Sequence, residues 1–337
     1  MRHAWIFACL ICSTLVLPAM SPQTACWMNN GRPLVAAVAE GNLYLAAMTA
    51  GTLHPVATVP AHGIATLAVG RWRGRPILLA AKGRTLVRFD LPRRTWRVLG
   101  VANAPIREIL PDPNDAAAVL LTSSATTSTP RDGAVWWAHW SGRCTITRVS
   151  GVKPTFHPWQ LWWASAAGER RLAVASYKAT PYVHFEHNCM FLFVWHAYGV
   201  VEPRWLGSRL TRPYLDATHA PVRTRDDTTM VAIEITRDGG HGLSAYHPIG
   251  FGYEGEWHTE SLPGLQRVAA YGPVITCWFR ATDGAWRVQR ILPDGDAYRL
   301  VSIPMAPPAP ESLCLLDTHH LSGWWGDAWH VVTLPDC

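Results

Sequence analysis

Four residues able to ligate a metal, His184, Glu186, His187 and Cys189, fall within six positions of one another. Imidazole, carboxylate and thiolate all bind zinc, but this spacing matches neither a zinc finger nor the HExxH helix of a metalloprotease. On a strand, His184 and Glu186 share a face and His187 points to the other. The segment reads as a polar loop between strands, and no metal is expected. His319 and His320 diverge for the same reason. Serine hydrolysis needs a nucleophile, a base and an orienting acid, and no G-x-S-x-G elbow is present. No catalytic residue is assigned, and no cofactor is expected.

Residues suited to binding lie between 156 and 213. Tyr177, Lys178, His187, Asn188, Arg209 and Arg212 are polar or amphipathic side chains at the ends of strand-like runs. Arg209 and Arg212 could clamp a carboxylate or phosphate through paired hydrogen bonds. The same residues could instead stitch strands together through backbone carbonyls. A second candidate is basic. Arg71, Arg73, Arg75, Lys82, Arg84, Arg88, Arg93, Arg94 and Arg97 place nine cations in 27 residues, opposed only by Asp90. Such a patch suits an anionic polymer or lipid head groups; the plainer reading is a solvated outer hairpin. No stacking-aromatic pattern accompanies it, so nucleic acid is not expected.

The elements that must carry these residues are strands. Short runs rich in Val, Ile, Leu, Trp, Tyr and Thr alternate with Gly, Pro, Asp and Asn turns, and no helical stretch stands out after residue 25. Met190 to Trp195 is apolar throughout, so such a strand needs cover on both faces. Trp136-Trp137, Trp162-Trp163 and Trp324-Trp325 place indoles on adjacent residues, which point to opposite faces of a strand. Both are buried only if both faces are packed. An apolar opening strand recurs near Ile64, Ile106, Trp159, Tyr214, Leu265 and Ser312, at intervals of 42 to 55 residues. Each interval fits one four-stranded propeller blade. Residues 33 to 59 add three strands before the first unit, and the last unit is short. The fold expected is an all-β β-propeller of seven blades, or six if the N-terminal strands complete the C-terminal blade. In either case it is closed by pairing of the N- and C-terminal strands. The proline-rich stretch Pro304 to Pro310 reads as a link between blades.

Within the unit Phe156 to Pro213, the order His157-Pro158-Trp159, Ser176 to Thr180, His187-Asn188, Phe193-Val194-Trp195 and Trp205 to Pro213 resembles bacterial propellers of the FG-GAP/VCBS-like repeat class. The match covers about residues 156–213, with weaker echoes to residue 260. The resemblance implies a propeller. It also implies an Asp-rich turn of calcium-loop type, which this sequence lacks: Ala164 to Arg170 and Arg223 to Asp227 stand there instead. One Glu beside two Arg does not supply the six to eight oxygens calcium requires.

Composition sets the compartment expected. The chain has 337 residues, 18 of them Trp, and a formal net charge of +6 carried almost wholly by Arg. Arg2 and His3, the uncharged apolar run Ala4 to Leu17 and the small-residue stretch to Ala25 read as a secretory signal over residues 1–25, leaving a single propeller domain over 26–337. Ala25-Cys26 also leaves lipidation at Cys26 open, the one route to membrane contact considered. Six cysteines remain after residue 25, an even number in an oxidising compartment. Six cysteines allow fifteen connectivities; Cys26 with Cys337 is the favoured pair, because a closed ring brings its tails together. The function expected is an exported, periplasmic or extracellular non-enzymatic binding or scaffold propeller. Its partners would be a glycan, peptidoglycan or an envelope protein. The alternative is a hydrolase or lyase acting on polysaccharide or cell-wall fragments. A central channel with two carboxylates and an exposed Trp would favour the enzyme.

Overall fold

The computed structural model describes residues 24–123, 132–180, 184–207, 210, 213–222, 227–304, 307 and 309–335, without the side chain of residue 311. They form 27 strands in seven antiparallel sheets. Blade 1 holds β1 (Thr24–Asn29), β2 (Arg32–Ala39), β3 (Asn42–Thr49) and β4 (Thr52–Pro60). Blade 2 holds β5 (Ile64–Trp72), β6 (Arg75–Lys82), β7 (Thr85–Asp90) and β8 (Thr95–Val101). Blade 3 holds β9 (Ile106–Pro111), β10 (Ala117–Thr122), β11 (Ala134–His139) and β12 (Thr145–Arg148). Blade 4 holds β13 (Pro158–Ala166), β14 (Glu169–Lys178), β15 (His187–Trp195) and β16 (Val201–Leu206). Blade 5 holds β17 (Tyr214–Ala220), β18 (Thr229–Ile235), β19 (His241–Ile249) and β20 (Gly252–His258). Blade 6 holds β21 (Leu265–Tyr271), β22 (Val274–Arg280), β23 (Trp286–Asp294) and β24 (Ala297–Ile303). Blade 7 holds β25 (Leu313–Asp317), β26 (His320–Trp325) and β27 (Ala328–Thr333). The seven-bladed propeller expected from the sequence is the fold observed.

Tight turns set the hairpins. At Asn30-Gly31 and Arg73-Gly74 both central residues have positive φ, the two-residue turn whose twist matches that of the flanking strands. Turns between the first two and the last two strands of each blade lie on one face of the ring, called face one. The remaining turns and the links between blades lie on face two.

Strand alternation builds the ring. Seven apolar clusters occur, one for each interface between neighbouring blades, including that between blades 7 and 1. Met190 and Leu192 enter the cluster between blades 4 and 5, while Phe191 and Phe193 enter that between blades 3 and 4. Each buried Phe, Leu or Met contributes roughly 1.5–3 kcal/mol. The paired indoles split as their spacing requires. Trp136 packs toward blade 2 and Trp137 toward blade 4. Trp162 packs toward blade 5 and Trp163 toward blade 3. Trp324 stacks on Tyr44 of blade 1 at 4.3 Å, and Trp325 packs toward blade 6. Of these six, only Trp137 is fully buried; the others are half-buried.

Closure of the ring takes a different form from the expected pairing of terminal strands. β1, absent from the strand count expected upstream of Ile64, is the innermost strand of blade 1 and completes that sheet. Among the described residues blade 7 keeps three strands, and no backbone ladder joins it to blade 1. The two end sheets meet by side-chain packing, because β1 has its hydrogen-bonding edge on β2.

Polar side chains staple the other interfaces. Arg171 is 1% exposed; its Nη1 and Nη2 donate to the carbonyls of Ile249 (2.8 Å) and Gly250 (3.1 Å) in blade 5, and its Nε to Glu169 (2.8 Å). Arg170 reaches Asp112 of blade 3 at 3.0 Å, and Trp163 Nε1 donates to Pro111 O at 2.7 Å. Arg171→Ala should lower stability by about 3 kcal/mol, since the Ile249 carbonyl loses its donor and the cavity left by a buried guanidinium leaves Glu169 and Gly250 held by Arg204 alone. Arg204→Ala, which removes an exposed guanidinium from the same corner, should cost less than about 1 kcal/mol. Urea unfolding of the two variants checks the difference; equal losses would refute the assignment.

Candidate functional site

Innermost strands of six blades enclose a cavity of about 500 Å³ on the ring axis, bounded by residues such as Cys26, Glu108, Gln160, His219, Arg267 and Cys314. Its polar groups occupy one repeated position. In blades 2 to 6 the inner strand carries a β-bulge that skips Ala65, Arg107, Trp159, Leu215 or Gln266. Each bulge is followed by a polar residue: Thr66, Glu108, Gln160, Asp216 or Arg267. A bulge re-aims the side chain that follows it, and here it does so five times.

The belt also bonds blade to blade. Glu108 accepts from the Leu161 N–H of the next blade at 3.2 Å. Asp216 accepts from the Val268 N–H of the next blade at 2.9 Å and from Arg267 Nε at 3.2 Å. In blade 4 the equivalent position is Gln160, whose Oε1 is buried without a partner, while Ala217 N–H is held by Asp216 at 3.0 Å. Nearby, His219 Nε2 lies 2.5 Å from Tyr253 Oη, its Nδ1 is buried and unpartnered, and its ring packs on Trp162 at 5.0 Å.

Glu108 is the one carboxylate among the described residues lining this cavity. Burial pushes it up to about 8, opposed by the Leu161 amide and by Arg107. Asp216 stands behind the wall; burial raises it against the pull of Arg267. Burial lowers His219 to about 3, so its ring is neutral. At physiological pH the channel therefore holds a mostly protonated Glu108 and a neutral His219, and its one guanidinium among the described residues, Arg267, is paired with Asp216; Trp162 lies half-buried against His219.

A second site forms on face one of blades 1 to 3. Arg71, Arg73 and Arg75 flank the β5–β6 turn, and Arg88, Arg93, Arg94 and Arg97 flank the β7–β8 turn, so the fold gathers seven of the nine clustered cations onto one face. Lys82 and Arg84 fall on face two. A cleft of about 500 Å³ between blades 1 and 2 is lined by Met28, Asn30, Trp72, Arg75 and Arg88. A neighbouring one of about 590 Å³ is lined by Met28, Arg71 and Asp112. Arg88 lies 4.3 Å over the Trp72 ring. Asp90 is engaged by Arg97 at 3.0 Å and Arg93 at 3.7 Å, and Asp112 by Arg170, which leaves a surplus of positive charge.

The strand-end residues expected to bind come together only in part. Tyr177 faces Asn188 and Lys178 faces His187 across β14 and β15, at face two of blade 4. Asn188 Nδ2 donates to Tyr214 O of blade 5 at 3.0 Å. Lys178 Nζ sits 5.0 Å from the Phe156 ring, and His187 Nδ1 lies 3.0 Å from Phe185 O. Arg209, Arg212 and Cys337 lie outside the described residues. Cys189 is buried, its thiol pushed up to about 12, and donates to Ser176 O at 3.6 Å. The sequence reading missed the channel belt. Its trace is a polar residue two places after the opening residue of units starting at Ile64, Ile106, Tyr214 and Leu265.

These features define a seven-bladed β-propeller with a repeated polar position in five inner strands and a basic rim. No protein-family model matches the chain. No curated protein matches it either. Among solved structures, a chain in the crystal structure of the mitotic checkpoint complex superposes with a TM-score of 0.59 at 12% identity, covering 100% of this chain and 99% of the other. That likeness shows the propeller fold.

The channel gives stability a two-sided pH dependence. Glu108 is protonated in folded and unfolded chains below about 4.5. Between there and about 8 only the unfolded chain ionises it, so rising pH removes stability. His219 acts in reverse: below about 6.5 the unfolded chain takes up a proton that the folded ring refuses, so falling pH removes stability. Each limb should amount to about 2 kcal/mol, less than full linkage because local relaxation around a buried group offsets part of its desolvation. Urea midpoints followed across pH should show Glu108→Gln flattening the upper limb and His219→Gln the lower; an upper limb that persists without Glu108 would assign it elsewhere.

Proposed function

We propose that this propeller is an exported, non-enzymatic binding scaffold of the cell envelope that docks an anionic glycan or peptidoglycan on face one of blades 1 and 2. The carrying observation is the placing of seven arginines from two separate hairpins beside two clefts, one lined by Trp72, Arg75 and Arg88 and the other by Arg71. Arg guanidinium groups suit carboxylates and phosphates, and Trp72 holds the Arg88 guanidinium in place at the cleft. The signal-like apolar run Ala4 to Leu17, ahead of β1, supports export. The likeness of residues 156–213 to FG-GAP/VCBS-like repeats belongs to the same proposal.

The polysaccharide hydrolase or lyase reading has less support. Its paired carboxylates would have to act together, yet among the described residues Glu108 is the one carboxylate lining the channel, and Asp216 is held by Arg267 and two backbone amides.

Two measurements test the proposal. The purified protein should co-sediment with peptidoglycan or with an acidic polysaccharide at low salt and release it at high salt. Arg73→Glu combined with Arg75→Glu should weaken binding at least tenfold with little change in melting temperature, because both side chains are exposed. Binding that ignores these charges would remove the site. Soluble sugar fragments that appear with the native chain and vanish with Glu108→Gln would establish the enzyme instead. For export, residues 1–25 should carry a reporter that is active only outside the cytoplasm.

A further inference from the structure

The interface between blades 7 and 1 is built unlike the other six. Like the others it is joined, among the described residues, by side chains and not by a backbone ladder, but its buried cluster is the smallest: Val35, Cys314 and Leu316, flanked by Cys26, Met48, Leu53, Trp329 and Val331. Two of these residues are cysteines on facing inner strands. On β1, Ala25 and Trp27 point toward blade 2, so Cys26 between them points toward blade 7. On β25, Leu313 and Leu315 point toward blade 6, so Cys314 points toward blade 1. The two thiols meet in the seam and hydrogen-bond to each other. Cys144, Cys189 and Cys277 belong to other interfaces.

We propose that Cys26 and Cys314 form a disulfide that ties the first blade to the last and closes the ring covalently. The chemistry is thiol–disulfide exchange with a disulfide oxidant, either a small-molecule disulfide or a dithiol oxidase. Cys26 attacks as the thiolate and bonds to one sulfur of the oxidant, whose other sulfur leaves as a thiol. Cys314 then loses its proton and attacks the Cys26 sulfur, expelling the second thiol. Two protein thiols give up two protons and two electrons, and the oxidant's disulfide becomes two thiols. Cys26 is suited to the first step. It is only half-buried, and it borders both the axial cavity and the cleft on face one, so an oxidant can reach it. The hydrogen bond from Cys314 draws the Cys26 thiol below its ordinary range, and the thiolate is the attacking species. Cys314 is buried and raised well above its ordinary range, as befits the resolving partner.

The test uses the folded full chain with oxidised glutathione. Intact mass should fall by about 2 Da per chain relative to dithiothreitol-treated protein. Non-reducing peptide mapping should recover the Cys26 and Cys314 peptides linked. The melting temperature should rise on the order of 10 °C, because the bridge closes a long loop. Cys314→Ser should abolish both changes, and Cys277→Ser should leave both intact. The native-chain mapping stands even if a variant folds poorly. Free thiols at both positions after oxidation, a Cys26–Cys337 peptide, or an acylated Cys26 would each overturn the proposal.

Discussion

Most middle strands of this protein bury apolar side chains on both faces, as β10, β15 and β18 do, and that single constraint organises the molecule. A sheet with two greasy faces is stable only between two others. Each blade therefore needs a neighbour on either side, and a row of such blades ends only by closing on itself. The split of Met190 to Phe193 between two clusters shows the constraint at the level of single residues. The outer strands are free of it, and they carry the exposed charge. β8, for example, leaves Val98 67% exposed beside Arg97.

Closing the ring brings polar groups to the axis, where they must find partners. Bulges in five inner strands are each followed by a polar residue, and two of these bond the neighbouring blade. Glu108 and Asp216 do this through equivalent contacts. The acids at the centre are thus committed to holding blades in place, which directs attention for binding to the rim. There the turns of face one place arginines from two hairpins beside Trp72. Charge that is dispersed along the chain becomes local on this face, and a polyanion would meet it as one surface.

The seam where the chain's ends meet is the exception to the blade-to-blade pattern. Tyr44 stacked on Trp324 and a small apolar cluster stand where other interfaces have larger clusters and buried staples such as Arg171. An interface with less packing opens more readily. The pair of cysteines sits at the one place where a covalent link would change that most.

The repeat, the all-β class and five of the six blade starts could be read directly, because strands declare themselves by local composition and turn residues. Ile64, Ile106, Tyr214 and Leu265 open strands where the spacing placed them. β1 was hidden because Thr24–Asn29 overlaps the signal-like residues 1–25 and runs into the turn residues Asn29 and Asn30. The channel belt was hidden because each bulge shifts the two-residue alternation that pattern reading relies on, so Glu108 and Asp216 look like ordinary strand polar residues. The sequence by itself determined that strands would need cover on both faces, since that depends only on which side chains alternate. Which residues from distant blades meet was decided only by the closed ring. Glu108 beside Leu161, Arg171 beside Ile249 and Cys26 beside Cys314 are contacts made by the rotation from blade to blade, and no local pattern encodes that rotation.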